Sequence, residues 1–176
     1  MFKKFVLICG ISILGLFWSI ETQAQATQTS IRAAAMEMGK ALVGKNSDLF
    51  LSYMHPSMIT LAGGKSQLKV ITDSALTVFE KFGGRISKIN YGTPSEVINY
   101  KDMLQAVLPQ STFLTSLLGD VEFSSSLIAI SSDKGATWKF IDTNLFGIRK
   151  VKEVMPDISS ELKIPKSAPP KFSAAE

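Results

Sequence analysis

The segment from Ser131 to Trp138 constrains the fold more than any other part of this chain. Its residues fit the pattern S-x-D-x-G-x-T-W, a short loop between two β-prone runs. Gly135 supplies the positive φ that a bulged turn requires. The Asp133 carboxylate is placed to accept hydrogen bonds from loop amides, and Trp138 is placed to cover the turn. The pattern therefore predicts a β-hairpin in which Asp133, Gly135 and Trp138 are structural.

This pattern is known as an Asp-box, which occurs repeatedly in sialidase propellers and singly in other secreted folds. The resemblance covers only the segment 131–138, and the chain contains no second copy. A propeller needs several repeated blades, so a single copy excludes that fold. A glycan-associated role is suggested only by the other proteins in which Asp-boxes occur, and it is one of three functional hypotheses.

The N-terminus has the features of a secretory signal. Two lysines near the start precede an apolar run that ends at Ile20, and small residues then offer cleavage after Ala24 or Ala26. We therefore expect a signal peptide over 1–26 and export to the periplasm or the medium of a bacterium. An uncleaved anchor is the alternative, although the run is shorter than the ~20 residues of a spanning helix. No stable membrane anchor is expected after signal removal.

Composition excludes several classes of function. The chain has 176 residues, a formal net charge of +4, one cysteine and one histidine. The cysteine, Cys9, lies in the signal, so disulfides and cysteine–metal sites are not expected in the mature domain. With His55 alone, zinc would have only carboxylates to complete its site, and we expect neither metal nor cofactor. The modest charge is spread along the chain, which argues against nucleic-acid binding.

Helical patterns fill most of the first half. A helix is predicted over 30–43, capped by Ser30, and a short helix from Asn46 or Ser47 to Tyr53. The strongest stripe of apolar residues runs over 66–82 and is wide enough to cover a sheet. A strand is predicted between these last two helices, from Met58 to Leu61.

The second half has the pattern of an antiparallel meander. Pro109 is expected at a bend, bulge or edge because it cannot donate to a sheet ladder. A turn is predicted at Gly119-Asp120, and a final helix follows the Asp-box strand. The predicted strands are 85–91, 96–108 (with an interruption near Lys101-Asp102), 112–118 and 121–131, and the final helix is 145–154. Helices followed by consecutive strands predict an α+β domain over 27–154, with a tail over 155–176 that is loose from about Lys166.

This element order resembles the nuclear transport factor 2-like cone fold, shared by SnoaL-like cyclases and ketosteroid isomerases. The likeness spans about 28–143, with Tyr53-Met54-His55-Pro56 at the usual helix-to-strand junction. The chain is also similar to small exported proteins that end such a meander in a Trp-x-Phe-Ile-Asp strand, as at 138–142. The resemblance implies a curved, cystatin-like sheet enclosing a blind cavity against the helix at 66–82. It also implies a homodimer through the outer sheet face.

Candidate site residues are few. A pocket Asp or His commonly acts as the general base in cyclases and isomerases of this fold, and an apolar pocket can move its pKa toward neutrality. Each candidate also has a structural explanation, such as helix capping by His55 or a bulge at Asp102. The candidate bases are His55, Asp102, Asp142 and, on the long helix, Asp73. The aromatic residues that could line a ligand pocket are Tyr53, Tyr91, Tyr100, Trp138 and Phe140.

The leading hypothesis is therefore an exported, non-enzymatic domain that binds a small apolar ligand or a protein partner. It depends on an expected pocket and on the lack of a convincing catalytic set. The second hypothesis is a SnoaL-like lyase or isomerase with His55 or an aspartate as base, and the third is the glycan-associated module.

Overall fold

The computed structural model describes residues 14–174 and shows an α+β domain with helices packed on one antiparallel sheet, which confirms the predicted class. Four helices come first, a meander of strands follows, and the C-terminal part of the chain returns to the sheet. The start of the predicted signal, including Lys3 and Lys4, lies outside the described residues. The helices are Leu14–Val43 (α1), Ser47–Tyr53 (α2), Pro56–Leu61 (α3), Lys65–Lys81 (α4), Thr143–Phe146 (α5) and Ile148–Val154 (α6).

The longest helix, α1, lies across β1 and supplies one wall of the core. Ile31, Ala35 and Met38 recur on one stripe and are buried. The predicted end near Gly44 is confirmed, and the Gly44 amide donates to the Lys40 carbonyl. The predicted start at Ser30 is wrong, because the helix continues back to Leu14, through both predicted cleavage sites.

The sheet is built around one long hairpin. The strand order is β1-β3-β4-β5. In addition, β2 pairs with β3 and β6 pairs with β4, and all pairs are antiparallel. Since strand residues alternate between faces, Tyr91, Gln110 and Leu127 point to the α1 face. The strands are Arg85–Tyr91 (β1), Ile98–Tyr100 (β2), Met103–Ser116 (β3), Gly119–Ser131 (β4), Lys139–Asp142 (β5) and Lys171–Ala174 (β6).

The opposite sheet face is covered in part by the C-terminal segment. Gln105 is fully buried there, and its side chain donates to the Asp157 carbonyl (2.7 Å) and accepts from the Ser159 amide (2.9 Å). Ile158 and Leu162 join the same core. The tail is not loose after Lys166 as predicted, because β6 pairs with β4.

The predicted strand at 58–61 is wrong, because these residues belong to α3. His55 caps this helix with its ring Nδ1, which accepts from the Ser57 amide (3.3 Å), and Pro56 occupies the first helical position. Proline has a φ suited to that position and no amide hydrogen to lose. The predicted cap of α2 is confirmed, with the Asn46 side chain accepting from the Leu49 amide.

The helix predicted at 66–82 is confirmed as α4, but its predicted position against the sheet is wrong. It packs mainly on α2 and reaches only the start of β1. Leu68 is buried, whereas Ile71, Val78 and Phe82 are exposed. The sheet is covered by α1 instead, so the apolar stripe of α4 faces mostly solvent.

Two turns of the meander differ from prediction. The strand predicted at 96–108 is a hairpin, because Lys101 and Asp102 both adopt positive φ and reverse the chain between β2 and β3. The turn predicted at Gly119-Asp120 lies two residues earlier, at Leu117-Leu118. Along one edge, β3 pairs first with β2 and then with β1, and Pro109 lies between these two paired stretches. Its carbonyl accepts a hydrogen bond from the Gly92 amide. Its missing donor therefore breaks no bond in the ladder with β4.

The Asp-box hairpin is confirmed, and its loop is held by Asp133. One carboxylate oxygen accepts from the Ser131 hydroxyl (2.7 Å) and the Thr137 amide (2.9 Å), and the other accepts from the Thr137 hydroxyl (2.6 Å). Gly135 has the expected positive φ of 91°. Trp138 is buried and donates to the Ser30 hydroxyl (3.0 Å), which ties the loop to α1. The hydrogen bonds from Thr137 and Ser131 lower the pKa of Asp133 to about 2.

We expect Asp133→Ala to lower the urea midpoint of unfolding at pH 7, because the loop loses its acceptor. Since the folded pKa is depressed, this stabilisation is present above the ordinary carboxyl pKa of 3.8 and is lost as pH falls through about 2. Urea titrations at several pH values, followed by tryptophan fluorescence, should show the wild-type advantage shrinking in acid. Asp120→Ala, which removes an exposed strand carboxylate, is the control. An Asp133→Ala effect that is independent of pH, or matched by Asp120→Ala, would contradict this account.

Candidate ligand-binding site

A cavity of about 200 Å³ lies between α1, α2 and the inner face of the sheet. Its walls are mostly apolar, because the α1 stripe and the end of α2 face the strands there. Four polar side chains from three strands line it: Tyr91 from β1, Gln110 and Thr112 from β3, and Asp142 from β5. The apolar lining includes Met38, Leu42, Phe50, Met54, Ile89, Leu127, Phe140 and Leu145. A concave, largely apolar space with a few convergent polar groups is the usual form of a small-molecule site.

The Tyr91 hydroxyl is the most unusual group in this cavity. The side chain is 7 % exposed, and its oxygen has no hydrogen-bond partner. Burial, with a smaller contribution from the charge of Asp142, raises the pKa of Tyr91 well above its usual value, so the hydroxyl stays protonated and can donate. A buried hydroxyl without a partner costs free energy and calls for an explanation. An acceptor atom brought to this hydroxyl would satisfy it.

Gly39 makes room for that hydroxyl. A Cβ atom at position 39 would lie 2.5 Å from the Tyr91 oxygen, well inside van der Waals contact. Glycine in a helix interior is destabilising by roughly 0.5–1 kcal/mol relative to alanine. The close approach of α1 to β1 at this point therefore requires a residue without a side chain.

Asp142 and Gln110 form the polar end of the cavity. The Gln110 amide nitrogen donates to Asp142 Oδ2 (2.6 Å) and to the Ser125 hydroxyl (2.8 Å). Asp142 Oδ1 accepts from the Asn144 amide (2.8 Å), so the carboxylate also caps α5. Burial raises the pKa of Asp142, and these hydrogen bonds oppose the shift without cancelling it. Asp142 is thus a carboxyl group whose affinity for a proton is increased.

Of the predicted site residues, the structure brings Tyr91, Asp142 and Phe140 together at the cavity. His55 does not line it and serves as the cap of α3, although its amide donates to the Phe140 carbonyl nearby. Burial, followed by the charge of Lys139, lowers the pKa of His55, so its ring is neutral at pH 7. Neutrality suits its capping role, because Nδ1 must stay unprotonated to accept a hydrogen bond.

The other predicted residues lie elsewhere. Asp102 occupies the exposed β2–β3 turn, and Tyr100 is exposed at the end of β2. Tyr53 is half-buried at the end of α2, and Trp138 is buried under the Asp-box. Asp73 accepts hydrogen bonds from the Ser47 hydroxyl, which joins α4 to α2, and from Lys69 of its own helix. These hydrogen bonds lower the pKa of Asp73. None of these five side chains lines the cavity.

Sequence reasoning missed Gln110 and Gly39. Gln110 is a polar residue on the inward face of β3, directly after the apolar inward-facing residues Ala106 and Leu108. Gly39 continues the α1 stripe four residues after Ala35, where an isolated helix glycine usually has a packing reason. These local signals existed in the sequence. Their meeting with Tyr91 depends on the β1–β3 register, which places Tyr91 opposite Gln110.

Comparisons with known proteins add no further identification. No protein-family model, curated protein or solved structure matches this chain. Within residues 14–174, no helix is long and apolar enough to cross a membrane. The same part of the chain contains no group of three His, Cys, Asp or Glu side chains placed to hold a metal ion.

We expect Gly39→Ala to destabilise the wild-type protein and to be neutral or stabilising when Tyr91 is Phe. In the wild type, the clash with the hydroxyl costs about 1–3 kcal/mol, more than the ~1 kcal/mol that alanine gains over glycine in a helix. Tyr91→Phe removes the oxygen at 2.5 Å and leaves the ring atoms Cε2 and Cζ at 3.3 Å, a smaller contact that the helix preference for alanine outweighs. The measurement is a double-mutant cycle of unfolding free energies. Tyr53→Phe is the control background, in which Gly39→Ala should remain destabilising. Additive effects of Gly39→Ala and Tyr91→Phe would contradict the packing described here.

Proposed function

We propose that this chain is an exported, non-enzymatic domain that binds a small apolar ligand in the cavity beneath α1. The observation that carries the proposal is the buried Tyr91 hydroxyl, which has no partner and borders an apolar space. The predicted signal over 1–26 supports export. Of the two alternatives left by the sequence, small ligand or protein partner, the small, partly enclosed cavity favours the small ligand.

The size and chemistry of the cavity narrow the ligand. A space of about 200 Å³ is smaller than typical drug-sized sites, which begin at about 300 Å³. It suits a molecule of about one ring, since an apolar cavity of about 150 Å³ in another protein binds benzene. Tyr91 can donate one hydrogen bond, and Asp142 disfavours a negatively charged ligand beside it. A neutral, single-ring molecule with one carbonyl or ether oxygen fits these conditions.

Cyclohexanone and methylcyclohexane are suitable probes because they have the same ring and differ in the acceptor atom. We expect cyclohexanone to bind the wild type roughly tenfold more tightly, since its oxygen partners the buried hydroxyl. Tyr91→Phe should remove this preference, whereas Tyr53→Phe, a matched change outside the cavity, should keep it. Ligand-observed NMR titration measures both affinities. Equal affinity of the two probes for the wild type, or no binding of either, would refute the proposal.

A second candidate is a lyase or isomerase, and the observation that favours it is the raised pKa of Asp142 beside Tyr91. A buried carboxylate can remove a proton from carbon, and a neutral tyrosine can stabilise the oxyanion that forms. This candidate would use Asp142 as its base, because neither His55 nor Asp102 lines the cavity. Both Asp142 oxygens already accept hydrogen bonds from the protein, which weakens the carboxylate as a base.

The two candidates differ in proton exchange. We expect the wild-type protein not to accelerate deuterium incorporation at the α-carbons of cyclohexanone in D₂O, followed by NMR. An enzyme would accelerate it, and Asp142→Asn would then abolish the acceleration while Asp102→Asn would retain it. That second pattern would replace the binding proposal with the enzyme.

A further inference from the structure

Three of the four most exposed large apolar side chains cluster at one end of the molecule, and the fourth, Phe172 (77 % exposed), lies on β6, opposite Val121 of β4. Phe82 is 76 % exposed at the end of α4, and Leu117 and Leu118 are 80 % and 91 % exposed in the β3–β4 turn. The two segments touch, because the Leu117 Cγ atom lies 2.8 Å from where a Cβ of Gly83 would be. We call Phe82, Leu117 and Leu118 the apolar tip.

The fold itself does not require these residues. Ser116 and Gly119 pair across the turn, and the Leu118 amide donates to the Ser116 hydroxyl. Turn positions of this kind usually hold Gly, Asn, Asp or Ser, which are soluble and tolerate the backbone geometry. Two leucines there bury almost no surface within the chain. Their exposure therefore points to contact with something outside it.

The surroundings of the apolar tip are positively charged. Lys81 and Arg85 flank Phe82 and Gly83, and within residues 14–174 neither forms an ion pair. Two nearby carboxylates are neutralised, because Glu80 pairs with Lys45 (2.5 Å) and Glu122 pairs with Lys171 (3.4 Å). Lys88, over the Phe113 ring, adds a third cation, and Asp120 is the remaining carboxylate on these segments. The tip thus projects apolar groups from a cationic base.

The size of the tip distinguishes between partners. Three projecting side chains are far fewer than the roughly 20–30 residues on each side of a stable protein–protein interface. A lipid surface has no such requirement, because apolar side chains enter the acyl boundary while Lys and Arg remain at the headgroups. Cations near an anionic leaflet add attraction that salt weakens.

We propose that the apolar tip docks reversibly on an anionic lipid bilayer. Phe82, Leu117 and Leu118 enter the interface between headgroups and acyl chains, and Lys81 and Arg85 contact the anionic headgroups. The docking is peripheral and independent of the cavity beneath α1.

The test places a reporter on the tip of the full chain. Cys9 is the only cysteine, so a Cys9→Ser background with Leu118→Cys accepts a single acrylodan label. Vesicles contain phosphatidylcholine with or without 30 % phosphatidylglycerol, and dibrominated lipid serves as a quencher. Val70→Cys is the matched control, because Val70 is 59 % exposed on α4 three turns before the tip. Local labels remain informative even if the N-terminal segment also binds lipid.

We expect the label at position 118 to shift to the blue and to be quenched by brominated lipid, more strongly on anionic vesicles, while the label at 70 remains unchanged. Lys81→Glu should weaken the apparent vesicle affinity at the tip about tenfold, and Arg32→Glu, the same charge change on the exposed side of α1, should leave it nearly unaltered. Phe82→Asp should abolish the shift.

In a chain with a native circular dichroism spectrum, a label at 118 that stays in water beside anionic vesicles overturns the proposal. A blue shift that depends on protein concentration without lipid also overturns it, because it would assign the tip to a second copy.

Discussion

The close approach of α1 to β1 is the contact on which the rest of the structure depends. Ala35 is fully buried, and Gly39 leaves space for the Tyr91 ring. Small residues on this side let the helix backbone lie near the sheet, while Met38 and Leu42 reach over the cavity beside it. The same helix binds the Asp-box loop through Ser30 and Trp138. One helix therefore sets the depth of the cavity and fixes the far hairpin.

The buried polar side chains of the core differ in whether they have hydrogen-bond partners. Gln105 on the outer face is fully buried and bonded to the backbone of the C-terminal segment, so it closes that side of the sheet. On the inner face, Gln110 and Asp142 satisfy one another. Among the buried side-chain polar atoms of residues 14–174, the Tyr91 hydroxyl alone is left without a partner. Because buried polar groups are normally paired, this exception is the observation on which the proposed ligand site rests.

The sequence predicted those elements whose signals are local. The Asp-box hairpin and α2 depend on side chains that bond to their own turn, such as Asp133 and Asn46. The α3 helix was missed because a short apolar run is ambiguous between strand and helix. The interruption at Lys101-Asp102 was predicted but not recognised as a chain reversal, and the β3–β4 turn was misplaced, because Lys101-Asp102 and Leu117-Leu118 lack the glycine or asparagine that usually marks a turn. Periodicity also showed that 66–82 has an apolar stripe, but it contains no information about what that stripe packs against.

The candidate site was predicted one residue at a time and not as a group. Tyr91 and Asp142 were named from residue type and position, but their convergence with Gln110 depends on long-range strand register. The proposed site requires an unfilled apolar space under α1, and a crystal structure under xenon pressure can detect that space, since xenon enters such cavities. We expect xenon density between Met38 and Leu127, beside the Tyr91 ring. The absence of xenon there, with Met38 and Leu127 packed against each other, would contradict it.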